Sequence, residues 1–528
     1  MNSKSQLTGL RYWMVRVLGE CDKVSADFSA DPVHDLRVAL RRCRSMADGM
    51  MAIDPDRNWK AMKKAGRQLF QRLGALRDTQ IMMDWIEKLF LEDHRRTPVD
   101  VKPVPTEHGA ASGDPPEAIP STDPAHAMLN ILQARETELK RGARAALEQF
   151  DRKQWRHWSN SLPQRAARIR LGSAVFRHLA LERWTTARQL HTVALRNRSQ
   201  VSWHTLRIGI KRFRYIVENF LPTEHRAWCN DLKHLQDLLG EVHDLDVLWA
   251  AALSEHIFPD EASKKAWRER IIQERTQRID EYRRQTTGPD SLWNTWRAGL
   301  PQGKQIQDFA TRRLKLWAKV LDPDFLHSER VARLSLQIYD GLLAAGAFKT
   351  AENGATDDLR RALYLAALLH DVGKSEGQRG HHKQSQELIQ KYGTPLGWSE
   401  EEIRRASLVA RFHCGALPLR SHKALRDLLL EDQRAIIRLS AVLRLANALD
   451  SAHDGHIRRV RLEQAPARPR RSNGFLHKPT LARNEALIIL AEGYSEESPT
   501  AQAVAAERYL LETVLRRPVI VRSAGTRQ

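Results

Sequence analysis

Cysteine is scarce: Cys21, Cys43, Cys229 and Cys414 are the only four in 528 residues, and no two form a C-x-x-C pair. That scatter excludes a disulfide framework and argues against a cysteine-built zinc site; it suits a reducing cytoplasm. Long apolar runs are missing as well. No stretch reaches the roughly 20 apolar residues that span a bilayer. Arg11, Arg16 and Glu20 break up the start of the chain, so no signal peptide and no membrane association are expected. Acidic residues are in deficit, 64 Asp and Glu against 85 Lys and Arg, and the formal net charge is +21. The charge points to an anionic partner: nucleic acid, polyphosphate, nucleotide or an acidic membrane surface. Charge alone does not choose among them.

What the chain does contain is a repeat. His34-x2-Arg37-x3-Arg41-Arg42-x-Arg44 recurs as His204-x2-Arg207-x3-Lys211-Arg212-x-Arg214, about 170 residues later. At about 100° per residue, His34, Arg37, Arg41 and Arg44 fall within roughly one quarter of a helix circumference, as do their counterparts. Two such faces brought together would form a basic trough for a long polyanion. A second motif follows each copy: Leu73-Gly74-x2-Arg77-Asp78 corresponds to Leu239-Gly240-x2-His243-Asp244. The glycine would permit close helix approach or a break, and the aspartate would hold a basic side chain in place. The alternative is a duplicated structural bundle with no ligand. The two basic helices carry few aromatics, Phe213 and Tyr215 in the second, which argues against base stacking and makes nucleic acid the weaker candidate ligand.

Most of the sequence has the periodicity of amphipathic helix, with helical runs over 31–51 and about 58–91. Residues 97–124 hold seven prolines and little apolar content, the pattern of a disordered insertion. Helical patterns resume at Ala125. Breaks at Thr286-Thr287-Gly288-Pro289 and Pro301-x-Gly303 place a domain boundary near 300. Beyond His456, strands are expected at 458–463, 486–491 and 519–521, with a helix over 501–515. The expected fold class is thus mostly α: a duplicated helical bundle over 1–300, an all-helical domain over 301–457 and a small α+β appendage over 458–528.

The segments VHDLRVALRRCR (33–44) and WHTLRIGIKRFRY (203–215), with the two Leu-Gly…Asp motifs, resemble the CHAD family, the conserved histidine α-helical domain. The resemblance covers about residues 5–290. It implies two helical bundles related by pseudo-two-fold symmetry that bind inorganic polyphosphate in a central basic channel. By the same resemblance His34, Arg37, Arg41, Arg42, Arg44, His204, Arg207, Lys211, Arg212 and Arg214 line it. Lys63, Arg67 and Lys233 on the following helices are secondary candidates. Guanidinium forks match phosphate oxygens, often bidentately, and affinity should fall steeply with salt. The module's usual companion, a triphosphate-tunnel domain, is marked by an E-x-E-x-K strand. Glu136-x-Glu138-x-Lys140 fits that pattern but lies in a helical run, so it is read as a chance match.

Further on, His327, His370-Asp371, His381, His413 and Asp450 occur in the order that resembles the HD phosphohydrolase superfamily. That family is all-helical and holds one divalent ion through His…His-Asp…Asp, with intermediate histidines able to hold a second. Imidazole and carboxylate suit Mn²⁺, Fe²⁺, Co²⁺ or Zn²⁺ better than Mg²⁺ alone. Asp371 would bridge two ions and a water between them would become a nucleophile near neutral pH. Lys374 would stabilise charge on a phosphoryl oxygen. Between His381 and His382 the choice stays open, with His381 preferred because it stands four residues before the small Ser385.

The segments HHKQS, VARFHCGALP and LRLANALD, with the strand–strand–helix–strand tail, are similar to the C-terminal half of exopolyphosphatase/guanosine pentaphosphate phosphohydrolase proteins, over about 305–525. That family's N-terminal actin-like domain, which carries its established catalysis, has no counterpart here, so its usual mechanism is not expected. Two functions follow. One is a cytoplasmic polyphosphate-binding protein, associated with polyphosphate granules, whose metal-dependent domain hydrolyses polyphosphate or a phosphorylated nucleotide; tethering would raise the local substrate concentration. The other is a non-enzymatic granule scaffold with an inert second domain. Oligomeric state is left open, a dimer included.

Overall fold

The computed structural model describes residues 9–91, 123–348, 355–463 and 486–524. The proline-rich insertion expected at 97–124 lies, save its last two residues, outside them, as do residues 464–485. The described residues form seventeen α-helices and one three-stranded sheet, the mostly helical fold with a small α+β appendage that the sequence implied. They divide into two compact units at Gln302/Gly303.

The N-terminal unit comprises α1 (Leu10–Ala26), α2 (Ala30–Met51), α3 (Arg57–Ile86), α4 (Pro124–Glu148), α5 (Arg152–Ala166), α6 (Ala174–Asn197), α7 (Gln200–Phe220), α8 (Pro222–Ser254), α9 (Glu261–Thr286) and α10 (Leu292–Ala298). Its helix starts are written in short polar residues. Asp56 accepts from Asn58 N, Ser199 from Ser202 N and Asp260 from Ser263 N, each satisfying a backbone donor that the first turn leaves unpaired. Arg198 turns the chain from α6 into α7 in the left-handed region, at φ 52°. Gly74 does not break α3, which runs unbroken to Ile86 and ends in a π-helical turn over Glu87–Leu91. The tryptophans missing from the basic faces are inside: Trp59, Trp155, Trp203, Trp293 and Trp296 are fully buried. Glu136, Glu138 and Lys140 stand on α4, with Lys140 on Glu136 at 3.0 Å, a helical ion pair and no strand.

The two copies pack in matching order, α1 on α2 on α3 and α6 on α7 on α8, and α2 rests against α7. Three contacts give the direction of that last pairing. Arg42 pairs with Glu218, Ser45 accepts from Asn219 Nδ2 at 2.9 Å, and Gly49 faces the Phe220 ring and Ile216. Residue numbers climb together on both helices, so α2 and α7 run parallel. Their basic N-terminal halves therefore lie at the same end.

The C-terminal unit comprises α11 (Lys304–Leu321), α12 (Phe325–Ala344), α13 (Ala355–Leu369), α14 (His381–Tyr392), α15 (Glu400–Arg411), α16 (Leu430–Leu449), β1 (Val460–Leu462), β2 (Leu487–Ala491), α17 (Pro499–Leu515) and β3 (Val519–Ser523). β1 runs antiparallel to β2, pairing Val460 with Ala491; β2 runs parallel to β3, pairing Leu487 with Val519. The parallel pair needs a crossover, and α17 supplies it. Leu487, Ile489 and Ala491 point into the same buried cluster as Val331, Leu365, Leu443 and Leu511, so the appendage shares one core with the helices of this unit.

Candidate functional site

In the N-terminal unit the parallel packing of α2 and α7 brings the two predicted basic faces together. Burial and the facing charges of Arg207, Arg41 and Arg37 push the Lys211 ammonium down to about 7; two of those three arginines belong to the other copy. Tyr215 likewise stands among Arg41, Arg214 and Arg42. His34 is depressed by partial burial and by Arg77 and Arg41. His204 lies 3.3 Å from His243, Nδ1 to Nδ1; burial and Arg207 push His243 down to about 4.

The second motifs serve as supports. Arg37 crosses over Gly74, where its guanidinium would be 3.8 Å from an added Cβ, and ends 3.6 Å from Asp78. Asp244 faces Arg207 and Lys211, and burial lifts it to about 6. The rest of the predicted set divides. Arg42 and Arg214 both turn to Glu218, the latter at 3.8 Å. Arg44 donates to the Lys63 carbonyl at 3.2 Å and stacks on Phe70, with Arg67 adding repulsion. Lys63 pairs with Asp48. Arg212 and Lys233 are exposed. The lining residues not anticipated are Arg77 and His243; both precede the motif aspartate, so the repeat itself carried the signal.

Compensation separates this cluster from ordinary surface charge. On α9, Arg275 bonds Asp246 at 2.8 Å and Arg278 bonds Glu274 at 2.6 Å. Among the described residues, no carboxylate forms an ion pair with Arg41, Arg77, Arg207 or Lys211, and the Nε atoms of the three arginines are buried without a hydrogen-bond partner. Buried cations that repel one another cost folding free energy unless an anion joins them.

In the C-terminal unit, His327 lies in the first turn of α12, His370 and Asp371 follow α13, His381 opens α14 and His413 follows α15. Three histidines share one posture. The Nδ1 of His370, His381 and His413 donates to the carbonyl three residues earlier, of Ala367, Gln378 and Ala410, at 2.8, 2.9 and 2.7 Å. Each Nε2 then faces Asp371. His370 is 3.3 Å from Oδ2, and His381 and His413 are 3.3 and 3.6 Å from Oδ1. His327 Nε2 is 4.0 Å from Oδ2. His370, Asp371, His413 and His327 are almost fully buried. Lys374 Nζ sits 2.5 Å from Asp371 Oδ2.

The electrostatics of the group follow from this geometry. Burial alone would raise the Asp371 carboxyl, but His370, His381 and His413 hold it far below the usual carboxylate range. The Asp371 carboxylate carries His381 up to about 10; burial, with His370 beside it, drives His413 well down.

Asp450 stands behind His327, accepting from its Nδ1 at 2.7 Å and from Arg330 Nε at 2.9 Å. As placed it orients His327 and does not join the inner group. His327 Nε2 also lies 2.9 Å from Asn447 Oδ1, and the His453 ring stacks on it at 3.8 Å. Of the adjacent pair, His381 enters the group, and His382 turns toward Gly415. Arg330, Asn447 and His453 carry no signal in the sequence because single residues one turn from His327 or Asp450 leave no pattern.

The His-Asp turn is locked from below: Ser385 Oγ donates to the His370 carbonyl at 2.6 Å and accepts from Gly373 N at 2.9 Å. A Cβ on Gly373 would collide with the His381 carbonyl and the Ser385 backbone nitrogen. Gly373→Ala is therefore expected to cost about 1–3 kcal/mol or more. Thermal denaturation should show a fall of several degrees.

Residues 14–253 match the family model of the CHAD domain, and residues 310–485 match that of the Ppx/GppA phosphatase, domain III. The chain thus carries a segment similar to the CHAD domain followed by one similar to domain III of the Ppx/GppA phosphatases, a pairing that points toward a polyphosphate-related function. Comparison with curated proteins finds no match. No helix of the described residues is long and apolar enough to cross a membrane.

Proposed function

We propose that this protein binds inorganic polyphosphate along the joined basic faces of α2 and α7. We propose too that its C-terminal unit is a metal-dependent phosphohydrolase acting on a phosphoanhydride or phosphoester in polyphosphate or a phosphorylated nucleotide. The observation that carries the first part is the set Arg41, Arg77, Arg207 and Lys211, four cations that form no ion pair among the described residues and are faced by the one carboxylate of Asp244: the counter-charge still wanting is anionic, and a chain of phosphates supplies it repeatedly. The second part rests on three imidazoles whose Nδ1 protons are tied to backbone carbonyls. This leaves three Nε2 atoms converging on one buried carboxylate, the arrangement that orients metal-bound histidine once their protons leave.

The donor set fits a divalent ion. His370 Nε2 and Asp371 Oδ1 are buried with no well-aligned hydrogen bond, and nitrogen with carboxylate suits Mn²⁺, Fe²⁺, Co²⁺ or Zn²⁺. His327 and His370 with Asp371 would hold one ion, with Asp450 behind His327, and His381 and His413 with the other oxygen of Asp371 would hold a second. Bound there, the ion supplies Lewis-acid polarisation of a phosphoryl group and a water nucleophile at neutral pH. Lys374 neutralises Asp371 in its absence and is placed to meet a phosphoryl oxygen once released. Covalent joining of the two units would raise the concentration of a held chain near the metal centre.

Two measurements on the full chain test this reading. Affinity for long-chain polyphosphate should fall linearly on a log–log plot against salt, and duplex DNA should compete poorly. Easy displacement by short duplexes would overturn the choice of ligand. Purified protein should carry a transition metal and release phosphate from polyphosphate or a nucleotide with Mn²⁺ present. A metal-free protein that cannot be loaded would favour the scaffold reading.

Binding should also depend on pH. Lys211 is charged below about 7 and loses its proton as pH rises through that value. A bound polyanion favours the charged form, so affinity should weaken above about pH 7, by up to roughly tenfold per unit from this one group. Lys211→Arg, charged throughout, should flatten that slope, as read by titration calorimetry between pH 6 and 9.

A further inference from the structure

The two oxygens of Asp371 face different neighbours. Oδ2 looks toward His370 and His327. Oδ1 looks toward His381 and His413, whose Nε2 atoms are 3.1 Å apart. A thiol stands beside this second group. Cys414 Sγ is 3.9 Å from His381 Nε2, and the sulfur and both imidazole nitrogens lie within 4.8 Å of one another.

Those separations are close to the edges of a tetrahedron around one ion. Bonds of about 2.0–2.1 Å to nitrogen or oxygen and about 2.3 Å to sulfur put the N–N and N–O edges at about 3.4 Å and the N–S edge at about 3.6 Å. The observed edges are 3.1 Å for His381–His413, 3.3 and 3.6 Å for Asp371 Oδ1 to the two histidines, and 3.9 Å for the sulfur to His381. Each of these four edges lies within a few tenths of an ångström of its tetrahedral value.

The loop carrying Cys414 is braced. Arg444 on α16 is almost fully buried and donates to the carbonyls of Phe412 at 3.2 Å and Gly415 at 3.3 Å. Glu507 on α17 accepts from its other side at 2.6 Å. Gly415, at φ +69°, turns the chain immediately after the cysteine. Independently of the thiol, Asp371 Oδ1 is buried and aimed into this group without a well-aligned hydrogen bond.

We infer that Cys414 Sγ is the fourth ligand of a divalent-ion subsite completed by His381 Nε2, His413 Nε2 and Asp371 Oδ1, and that this subsite selects a thiophilic ion, Zn²⁺ or Co²⁺, over Mn²⁺ and Mg²⁺. The inference rests on the metal-centre reading above. On binding, the thiol gives its proton to solvent and the thiolate ligates the ion, with no change of oxidation state. Four protein ligands close this position, as in structural zinc sites. The neighbouring position, with His327, His370 and Asp371 Oδ2, keeps three and stays open to substrate. Division of labour follows: the cysteine-bearing ion holds Asp371 in place, and the other position does the chemistry.

The test is a Co²⁺ titration of metal-free full-length protein followed by absorption, wild type against Cys414→Ser. Wild type should develop a near-ultraviolet sulfur-to-cobalt charge-transfer band together with strong visible tetrahedral bands. Cys414→Ser should lose the charge-transfer band and at least about tenfold in Zn²⁺ affinity at one of two positions, with Mn²⁺ binding unchanged. Circular dichroism confirms that the variant is folded. Co²⁺ binding by wild type without that band, or a band that persists in Cys414→Ser, overturns the inference and leaves the metal centre standing. Failure of wild type to bind Co²⁺ at all overturns both.

Discussion

Replacing Arg41 and Lys211 together by glutamate should lower affinity for long-chain polyphosphate by about three orders of magnitude, while leaving helicity intact. Each hydrogen bond to a charged group is worth about 1.5–3 kcal/mol, so losing two removes about 3–6 kcal/mol before the added repulsion is counted. At about 1.4 kcal/mol per tenfold, that is about 10²–10⁴-fold, and the repulsion from two introduced carboxylates adds to it. The same sites give a second readout with the opposite sign. Arg41 and Lys211 form no ion pair among the described residues, and burial and the neighbouring arginines outweigh Asp244 in opposing the charge of Lys211. Neutral replacement, Arg41→Gln with Lys211→Met, should therefore raise the melting temperature of the ligand-free protein while still weakening binding. A site that gains stability as it loses affinity is held for function. Filter binding and differential scanning calorimetry read the two effects. Undiminished retention of polyphosphate by the glutamate variant would remove the basic cluster from the account.

The second large effect concerns Asp371. It is the one carboxylate toward which His327, His370, His381 and His413 all converge. Asp371→Asn should strip the bound ion and reduce Mn²⁺-dependent phosphate release by about 10³-fold or more, since the ion's contribution is several kcal/mol of transition-state stabilisation. His370→Ala/Asp371→Ala should do the same, and polyphosphate retention should be untouched in both. Metal analysis beside a phosphate-release assay separates the possibilities. Equal release by wild type and variants would dismiss this centre as the catalyst. Among neighbouring positions, Lys374→Ala should keep the metal and lower turnover.

Much of this was legible in the residues. A cationic stripe repeated with identical spacing needs no tertiary information to be seen, because helix periodicity places i, i+3, i+7 and i+10 on one side. The order His…His-Asp…His…His…Asp was also readable, and the fold class with it, since amphipathic periodicity and the alternation of Leu487, Ile489 and Ala491 are local properties. Less was legible in the supports. Asp450 reads as a ligand by order alone, but its carboxylate is taken by Arg330 and His327. Arg444, which braces the Cys414 loop from a helix some thirty residues away, carries no local signal at all. Cysteine scarcity argued against a cysteine-built metal site; a single thiol beside two histidines is a matter of proximity, which composition does not carry.

The chain by itself determined which residue types exist, their helical phase and their duplication, because each depends on neighbours within a few turns. Only the tertiary structure decided that α2 and α7 run parallel, so that two stripes separated by about 170 residues share one end. It alone decided which histidine of the adjacent pair turns inward. Both depend on how distant helices meet, and packing of that kind is settled by the whole core at once, not by spacing along the chain.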